Sequence, residues 1–181
     1  MDLISTMRWE RLDVSGIDEC SLFQTESGWR LEGHAEFSDG GDKHNIDYNV
    51  DCAANWNTWR AEIKGTSNHV ITRKSGEWFL DGVSQEDIAA SVTQIDFGFT
   101  PATNFIQLKQ MDLKIGQSET SVVAWLDIGE GELSYLHQLY ERTGERSYAY
   151  DSPSYGYHET LTIAENDFVA DYPHLWRAIA R

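Results

Sequence analysis

Apolar and polar residues alternate with a period of two over most of this sequence. The clearest case is residues 28–37, where Trp29, Leu31 and Phe37 fall on one side and Arg30 and Glu36 on the other. Successive side chains of a strand point to opposite faces, so this alternation predicts an antiparallel strand with one solvated face. A chain patterned in this way throughout is expected to fold mostly as β-sheet.

Turn residues rich in Gly, Asn, Asp and Ser divide the chain into short predicted strands. In order, the predicted strands are 7–13, 19–25, 28–37, 44–52, 56–65, 68–74, 77–80, 111–115, 120–127, 133–140, 146–150, 157–163 and 168–172. Helix is predicted at three places: after Thr100-Pro101, briefly at 84–91, and after Pro173. Neither a repeat nor a linker interrupts this order.

The length of 181 residues is enough to bury roughly 70% of the unfolded surface in one domain. So long a sheet cannot stay flat without exposing its edges. We therefore expect a mostly-β single domain over 1–181: a large curled antiparallel sheet, half-barrel-like, wrapped around about one short α-helix.

Charge and hydropathy exclude several classes of function. Fourteen basic and thirty acidic residues give a net charge of -16, which opposes binding to nucleic acid and to anionic membrane surfaces. No apolar run approaches the 18 residues of a membrane span, and residues 1–13 lack the features of a signal peptide. A cytoplasmic location is expected.

Cysteine and histidine give no strong signal for metal or redox chemistry. Cys20 and Cys52 stand in no CxxC motif and are expected to be buried, unpaired thiols. His34 with Glu36, and His158 next to Glu159, lack a third ligand at a diagnostic spacing. Loops for phosphate binding and a G-x-S-x-G elbow are also missing, so no metal and no cofactor are predicted.

The most unusual chemistry is concentrated in residues 94–110. Ile95 and Phe97 fall on one face of a predicted strand and Asp96 on the other, so this strand presents a carboxylate. Thr100-Pro101 is then a plausible helix start, because a threonine hydroxyl can cap a helix and proline suits its first position. Thr103 and Asn104 would lie at the mouth of that helix.

Three carboxylates occupy polar strand faces: Asp47, Asp51 and Asp96. Glycoside hydrolysis uses a pair of carboxylates, one as the acid and one as the base or nucleophile. A solvated strand face is the simpler explanation in so acidic a chain. The many Tyr and Trp rings mostly suit a β core, but rings that border a cavity combine an apolar body with a polar tip, which suits an amphiphile.

Several motifs together resemble the bacterial glycolipid-binding family, long classed as a domain of unknown function. The motifs are Asp96-x-x-x-Thr100-Pro101-x-Thr103-Asn104, Trp78-x-x-Asp81-Gly82, Tyr140-Glu141-Arg142, Tyr148-x-Tyr150, Asp171-Tyr172-Pro173-x-Leu175-Trp176, Tyr48-x-Val50, Trp56-x-Thr58 and Arg60. The resemblance covers nearly the whole chain. It implies a many-stranded sheet around one helix, a homodimer, remote similarity to lipoprotein-localisation factors, and an acidic pocket for a glycolipid.

The resemblance also shows departures from the family pattern. Gln94 stands where an aspartate is usual, Trp59 where an arginine is, Gln107 where a proline is, and Lys109-Gln110 where two arginines are. A missing second aspartate beside Asp96 weakens a two-carboxylate mechanism and favours binding over hydrolysis.

The sequence therefore leads to three functional hypotheses. The first is non-catalytic binding of a glycolipid or related amphiphile. The expected ligand-binding residues are Asp96, Thr100, Thr103, Asn104, Asp47, Asp51, Arg60, Tyr140 and Tyr150. The second is a hydrolase or isomerase that pairs Asp96 with Asp47 or Asp51, and the third is a structural or partner-binding dimer.

Overall fold

The computed structural model describes residues 1–180, and its strands form one fifteen-stranded sheet. The strands are β1 (Asp2–Arg11), β2 (Ser15–Gln24), β3 (Gly28–Asp39), β4 (Asp42–Ala53), β5 (Thr58–Gly65), β6 (His69–Lys74), β7 (Glu77–Leu80), β8 (Val83–Ser84), β9 (Ile95–Phe97), β10 (Ser118–Asp127), β11 (Glu132–Gly144), β12 (Ser147–Ser152), β13 (Tyr157–Ile163), β14 (Val169–Tyr172) and β15 (Trp176–Ala178). Among the described residues there is one α-helix, α1 (Asn104–Met111), and one short 3-10 helix at Pro153–Tyr155.

The strand order across the sheet is β8-β7-β6-β5-β4-β3-β2-β1-β15-β14-β13-β12-β11-β10-β9. Strands β1 and β15 therefore meet in the middle, with Trp9 opposite Ala178. Every pairing is antiparallel except that of β9 with β10, which is parallel. The predicted mostly-β fold, with a large curled sheet around one helix, is confirmed, and the sheet does not close into a barrel.

The alternation in residues 28–37 corresponds to an antiparallel strand with a buried face and a more exposed face, as predicted. Leu31 and Ala35 are almost completely buried on the inner face of the sheet, which we define as the face towards α1. Arg30 and Glu36 lie on the opposite, outer face, where Arg30 pairs with Asp51 of the neighbouring strand. A one-residue shift in register would exchange these faces, so burial of the inner face fixes the pairing.

Gly33 makes room for a tyrosine on the inner face. It lies directly opposite Tyr48 in the β3–β4 ladder, and a Cβ at Gly33 would be 2.1 Å from Cζ and 2.3 Å from the hydroxyl of Tyr48. Because glycine has no side chain, the Tyr48 ring can cross β3 and reach Asp18 on β2. This crossing carries a polar group into the core.

Aromatic rings attach α1 to the sheet. The Phe105 ring packs edge-on against Trp56, with 5.5 Å between ring centroids, and in a tilted arrangement against Phe168, with 4.7 Å between centroids. Phe168 in turn packs against Trp9 at 5.6 Å. Such pairs stabilise a fold by about 0.5–1.5 kcal/mol each beyond the area they bury.

The predicted helix start at Thr100-Pro101 is wrong by a few residues, because the helix begins at Asn104. Thr100 accepts the Ala102 N–H at 3.1 Å and so closes a turn before the helix. Thr103 occupies the N-cap position but makes no side-chain cap, since its hydroxyl is bonded to Asp96 instead. A polar contact in the core has here displaced the usual cap.

Three further predicted elements differ from the structure. Residues 84–91 contain turns and no helix; Ile88 N–H bonds Gln85 C=O, and Val92 N–H bonds Ala89 C=O. Residues 111–115 are not a strand, because Met111 ends α1 and a turn follows. After Pro173 the chain forms strand β15 in place of the predicted helix, since it pairs with both β1 and β14.

None of the helices among residues 1–180 has the length and apolar character needed to cross a membrane.

Candidate functional site

A cavity of about 290 Å³ lies beside the first residue of α1. We call it the inner cavity. Its polar lining residues include Asp96, Thr100, Asn104 and Ser152. Its aromatic lining residues are Phe97, Trp125, Tyr150, Tyr155, Tyr157, Tyr172 and Trp176.

The chain between β9 and α1 brings the polar side chains together. After Phe97 the backbone passes over the Trp125 ring at Gly98, where a Cβ would be 2.9 Å from Trp125 Cζ2. The Thr100-Pro101 turn follows, and Thr103 then bonds Asp96, so that Asp96 and Asn104 border the same cavity. The bonds from Thr103 to Asp96 and Phe97 therefore hold both ends of the segment at one cavity.

Asp96 is a buried carboxylate with two hydrogen-bond donors. Thr103 Oγ1 donates to Oδ1 of Asp96, and Gln138 Nε2 donates to Oδ2 at 2.8 Å. Burial raises the pKa of Asp96, and the hydrogen bonds from Thr103 and Gln138 oppose that rise. Thr103 also accepts the Phe97 N–H at 3.3 Å, so it holds the strand and the carboxylate together.

A hydrogen-bonded network extends from the cavity into the core. Gln138 Nε2 donates to the Tyr150 hydroxyl at 2.9 Å, and Asn104 Nδ2 donates to the Tyr140 hydroxyl at 2.8 Å. Tyr140 donates in turn to Oε1 of Gln107 at 2.7 Å. Of the predicted residues, Asp96, Thr100, Asn104 and Tyr150 border the inner cavity, whereas Thr103 and Tyr140 stand behind it and position them.

Sequence reasoning missed a second buried carboxyl group, Asp18 on β2. Its oxygens accept hydrogen bonds from the Tyr48 hydroxyl at 3.0 Å and from Thr100 Oγ1. Burial raises the pKa of Asp18 to about 7, while the hydrogen bonds from Thr100 and Tyr48 act in the opposite direction. Thr100 therefore connects this carboxyl to the cavity wall.

A signal for Asp18 existed in the sequence. The residue is in phase with Cys20 and Leu22, which both lie on the inner face of β2. The predicted strand began at residue 19, one position too late to include it.

Three predicted residues lie on the outer face, away from the inner cavity. The Asp47 side chain is 72% exposed and bonds His34 Nδ1 at 2.7 Å. Asp51 is buried under Arg30, which donates to both of its oxygens at 2.5 and 2.8 Å. Arg60 pairs with Glu62 at 3.5 Å.

Both cysteines are buried and free, as predicted. Burial raises the pKa of the Cys20 thiol, and it raises the pKa of Cys52 to about 12. Such thiols are poor nucleophiles at neutral pH. Within residues 1–180 no cluster of three or more His, Cys, Asp and Glu side chains is arranged to hold a metal ion.

The fold and the cavity define a class of β proteins in which one long open sheet curls around a single helix and encloses an aromatic pocket. Within that class, the chain belongs to the family described as "Putative glycolipid-binding", whose model matches residues 6–178.

Among solved structures, a DUF1089 family protein from Pseudomonas aeruginosa has the same fold. Its TM-score is 0.76 at 20% sequence identity, over 90% of this chain and 92% of that one. Comparison with curated proteins gives no match.

Proposed function

We propose that this protein binds a glycolipid or a related amphiphile in the inner cavity and does not transform it. The observation that carries this proposal is the cavity lining, in which Asp96, Thr100 and Asn104 share one space with seven aromatic rings. An apolar cavity with a few convergent polar groups is the usual form of a small-molecule site. The family description supports the same ligand class.

Binding is favoured over hydrolysis by the positions of the carboxylates. Glycosidases hold their two carboxyl groups about 5–10 Å apart across the scissile bond. Asp47 and Asp51, the partners considered for Asp96, lie on the outer face, and Asp51 is occupied by Arg30. The other carboxylate that borders the cavity, Asp13, is held by Arg11 at 3.0 and 2.8 Å.

The proposal is tested by native mass spectrometry of protein purified from its own host, followed by titration of alkyl glycosides. We expect a bound mass that denaturation releases, and saturable binding in calorimetry without release of free sugar. A Ser152→Phe variant places a ring in the cavity wall and should abolish binding. Ala149→Phe on the same strand, outside the cavity lining, should not.

Folded protein with neither a bound lipid nor affinity for any glycoside would refute the proposal. Sugar release that Asp96→Asn abolishes, with affinity retained, would instead establish an enzyme.

We also propose a homodimer. The sheet is open, and its edge strand β8 lies at the surface, where Val83 is 65% exposed, so a second copy can pair with that edge. Light scattering at micromolar concentration should give twice the mass of the 20.6 kDa chain. A monomeric mass would contradict this assembly.

A further inference from the structure

The volume of the inner cavity limits which part of an amphiphile it can hold. An apolar cavity of about 150 Å³ holds one benzene molecule, and the inner cavity, at about 290 Å³, is roughly twice that size. One sugar ring with its substituents, about twelve non-hydrogen atoms, is a match for that space, whereas a ring together with a long acyl chain is too large.

The chemistry of the lining favours the sugar. Leu136 and Leu175 are the two aliphatic residues of the described lining, and the remainder is chiefly aromatic or polar. Aromatic faces accept the C–H surface of a sugar ring, while its hydroxyls reach groups such as Asp96 and Asn104. An acyl chain would offer no hydrogen bond to the polar atoms that border the cavity, whereas the hydroxyls of a sugar can bond them.

The charged side chains that border the cavity further restrict which headgroup the ligand can have. Arg11 is the one cationic side chain among the described lining residues. It is ion-paired with Asp13, and its guanidinium lies over the Trp176 ring at 5.2 Å from the centroid. A phosphate or carboxylate would find no unpaired cation, and it would approach the buried Asp96. An uncharged sugar avoids both penalties.

Trp176 borders the cavity, and its indole N–H has no acceptor among the described residues. The residue borders the cavity and is 5% exposed, and its Nε1 is buried without a partner in residues 1–180. By contrast, Nε1 of Trp9 donates to Val169 C=O at 2.7 Å, and Nε1 of Trp78 donates to Val92 C=O at 3.0 Å. Buried donors are nearly always satisfied, so an unpaired one on a cavity-lining residue is a candidate partner for a ligand acceptor.

We infer that the amphiphile enters head first: one uncharged sugar ring occupies the inner cavity and accepts a hydrogen bond from Trp176, and the hydrocarbon chain stays outside. This inference rests on the proposed function and adds the orientation of the ligand and a residue that recognises it.

The orientation is tested by ¹⁵N spectra of the seven tryptophan indoles, with the Trp176 signal assigned from a Trp176→Phe variant. The probes are methyl and octyl β-glycosides of glucose, galactose and mannose, together with 1-octanol. We expect the Trp176 signal to move with the methyl and octyl glycosides of the same sugar, and to stay in place with octanol.

Two matched variants separate recognition from folding. Trp176→Phe keeps an aromatic ring but removes an N–H that no protein group uses, so octyl glycoside affinity should fall about threefold to tenfold with little change in Tm. Trp9→Phe removes an N–H that bonds Val169 and lies outside the cavity lining, so Tm should fall while affinity stays the same.

The outcomes distinguish this inference from the proposed function. If octanol moves the Trp176 signal and methyl glycosides do not, the chain enters first, and the inference is overturned while amphiphile binding stands. Glycoside binding that leaves the Trp176 signal unmoved, or that Trp176→Phe leaves unchanged, overturns it as well. If no probe binds by any signal, the proposed function fails with it.

Discussion

At the scale of single residues, Asp18 and Asp96 contribute to how stability depends on pH. Both carboxyls are buried, and burial raises the pKa of each. A carboxyl whose folded pKa exceeds its unfolded pKa favours folding most at low pH. That contribution is lost as pH rises through the folded value. For Asp18 the relevant window runs from its ordinary value of 3.8 to about 7.

Asp18→Asn should therefore flatten the pH dependence of unfolding. An asparagine can accept a hydrogen bond from one of the hydroxyls of Tyr48 and Thr100 and donate to the other, and it carries no proton to lose. Between pH 4 and pH 7 the wild type should lose up to about 4 kcal/mol through this group, and the variant should keep that stability. Urea unfolding at pH 4.5 and pH 8 measures the difference. Asp39→Asn, at the exposed end of β3, is the control.

The dependence of unfolding free energy on pH that remains in the Asp18→Asn variant reports on Asp96, because Asp96 contributes in the same direction. If the variant keeps the full wild-type slope, Asp18 does not titrate in this window.

Residue positions could be predicted from the sequence where alternation and burial agree. Alternation with Ile95 and Phe97 predicts Asp96 on the polar face of its strand, and in the structure it borders the cavity, since β9 is buried on both sides and even its polar side chain faces protein. Asp47 and Asp51 were candidates by the same alternation. The polar face of β4 is the outer face, however, and a period of two cannot say which carboxylates share one cavity.

At the scale of elements, the strand pattern was predictable and the ends of the helices were not. Strands 28–37 and 44–52 have strong local signals, and the structure extends both by a few residues. The errors fall at 84–91, at 111–115 and after Pro173, where local propensity favours one structure and pairing with distant strands or turns decides another. Thr103 shows the same effect, because its bond to Asp96 replaces a cap.

At the C-terminus of α1, Asp112 has a strained backbone conformation that a substitution can relieve. Asp112 caps the helix with φ 43° and ψ 44°, a left-handed conformation that costs a non-glycine residue energy. Its negative charge also stands at the negative end of the helix dipole. Asp112→Gly should therefore stabilise the protein by about 0.5–1 kcal/mol, measured as a rise in Tm of roughly 1–4 °C.

Asp112→Asn divides this effect into its two parts, since asparagine removes the charge but keeps a side chain. We expect it to give a smaller gain than glycine. A glycine variant that is less stable than wild type would show that the Asp112 side chain supports the helix end.

At the scale of the whole molecule, sequence reasoning recovered the curled sheet but not its connectivity. An open sheet around one helix follows from the number of alternating strands and the scarcity of helix. The parallel position of β9 and the meeting of β1 with β15 depend on pairings between residues far apart in the chain, which no local pattern encodes.

Because β1 and β15 pair in the centre of the sheet, we expect pairings between strands that are neighbours in the sequence to form before this distant one. Strands β1 to β8 pair in sequence order, and so do β10 to β15, whereas β1 and β15 share three residue pairs across more than 160 residues of chain. A contact between residues so far apart in the chain closes a long loop, and the entropy lost in closing it delays the formation of that contact. The two hairpin arrays are therefore expected to form early, and the join between them after the rate-limiting barrier.

Trp9→Phe, which breaks the bond to Val169 across that join, should mainly speed unfolding in stopped-flow chevrons and leave the refolding rate nearly unchanged.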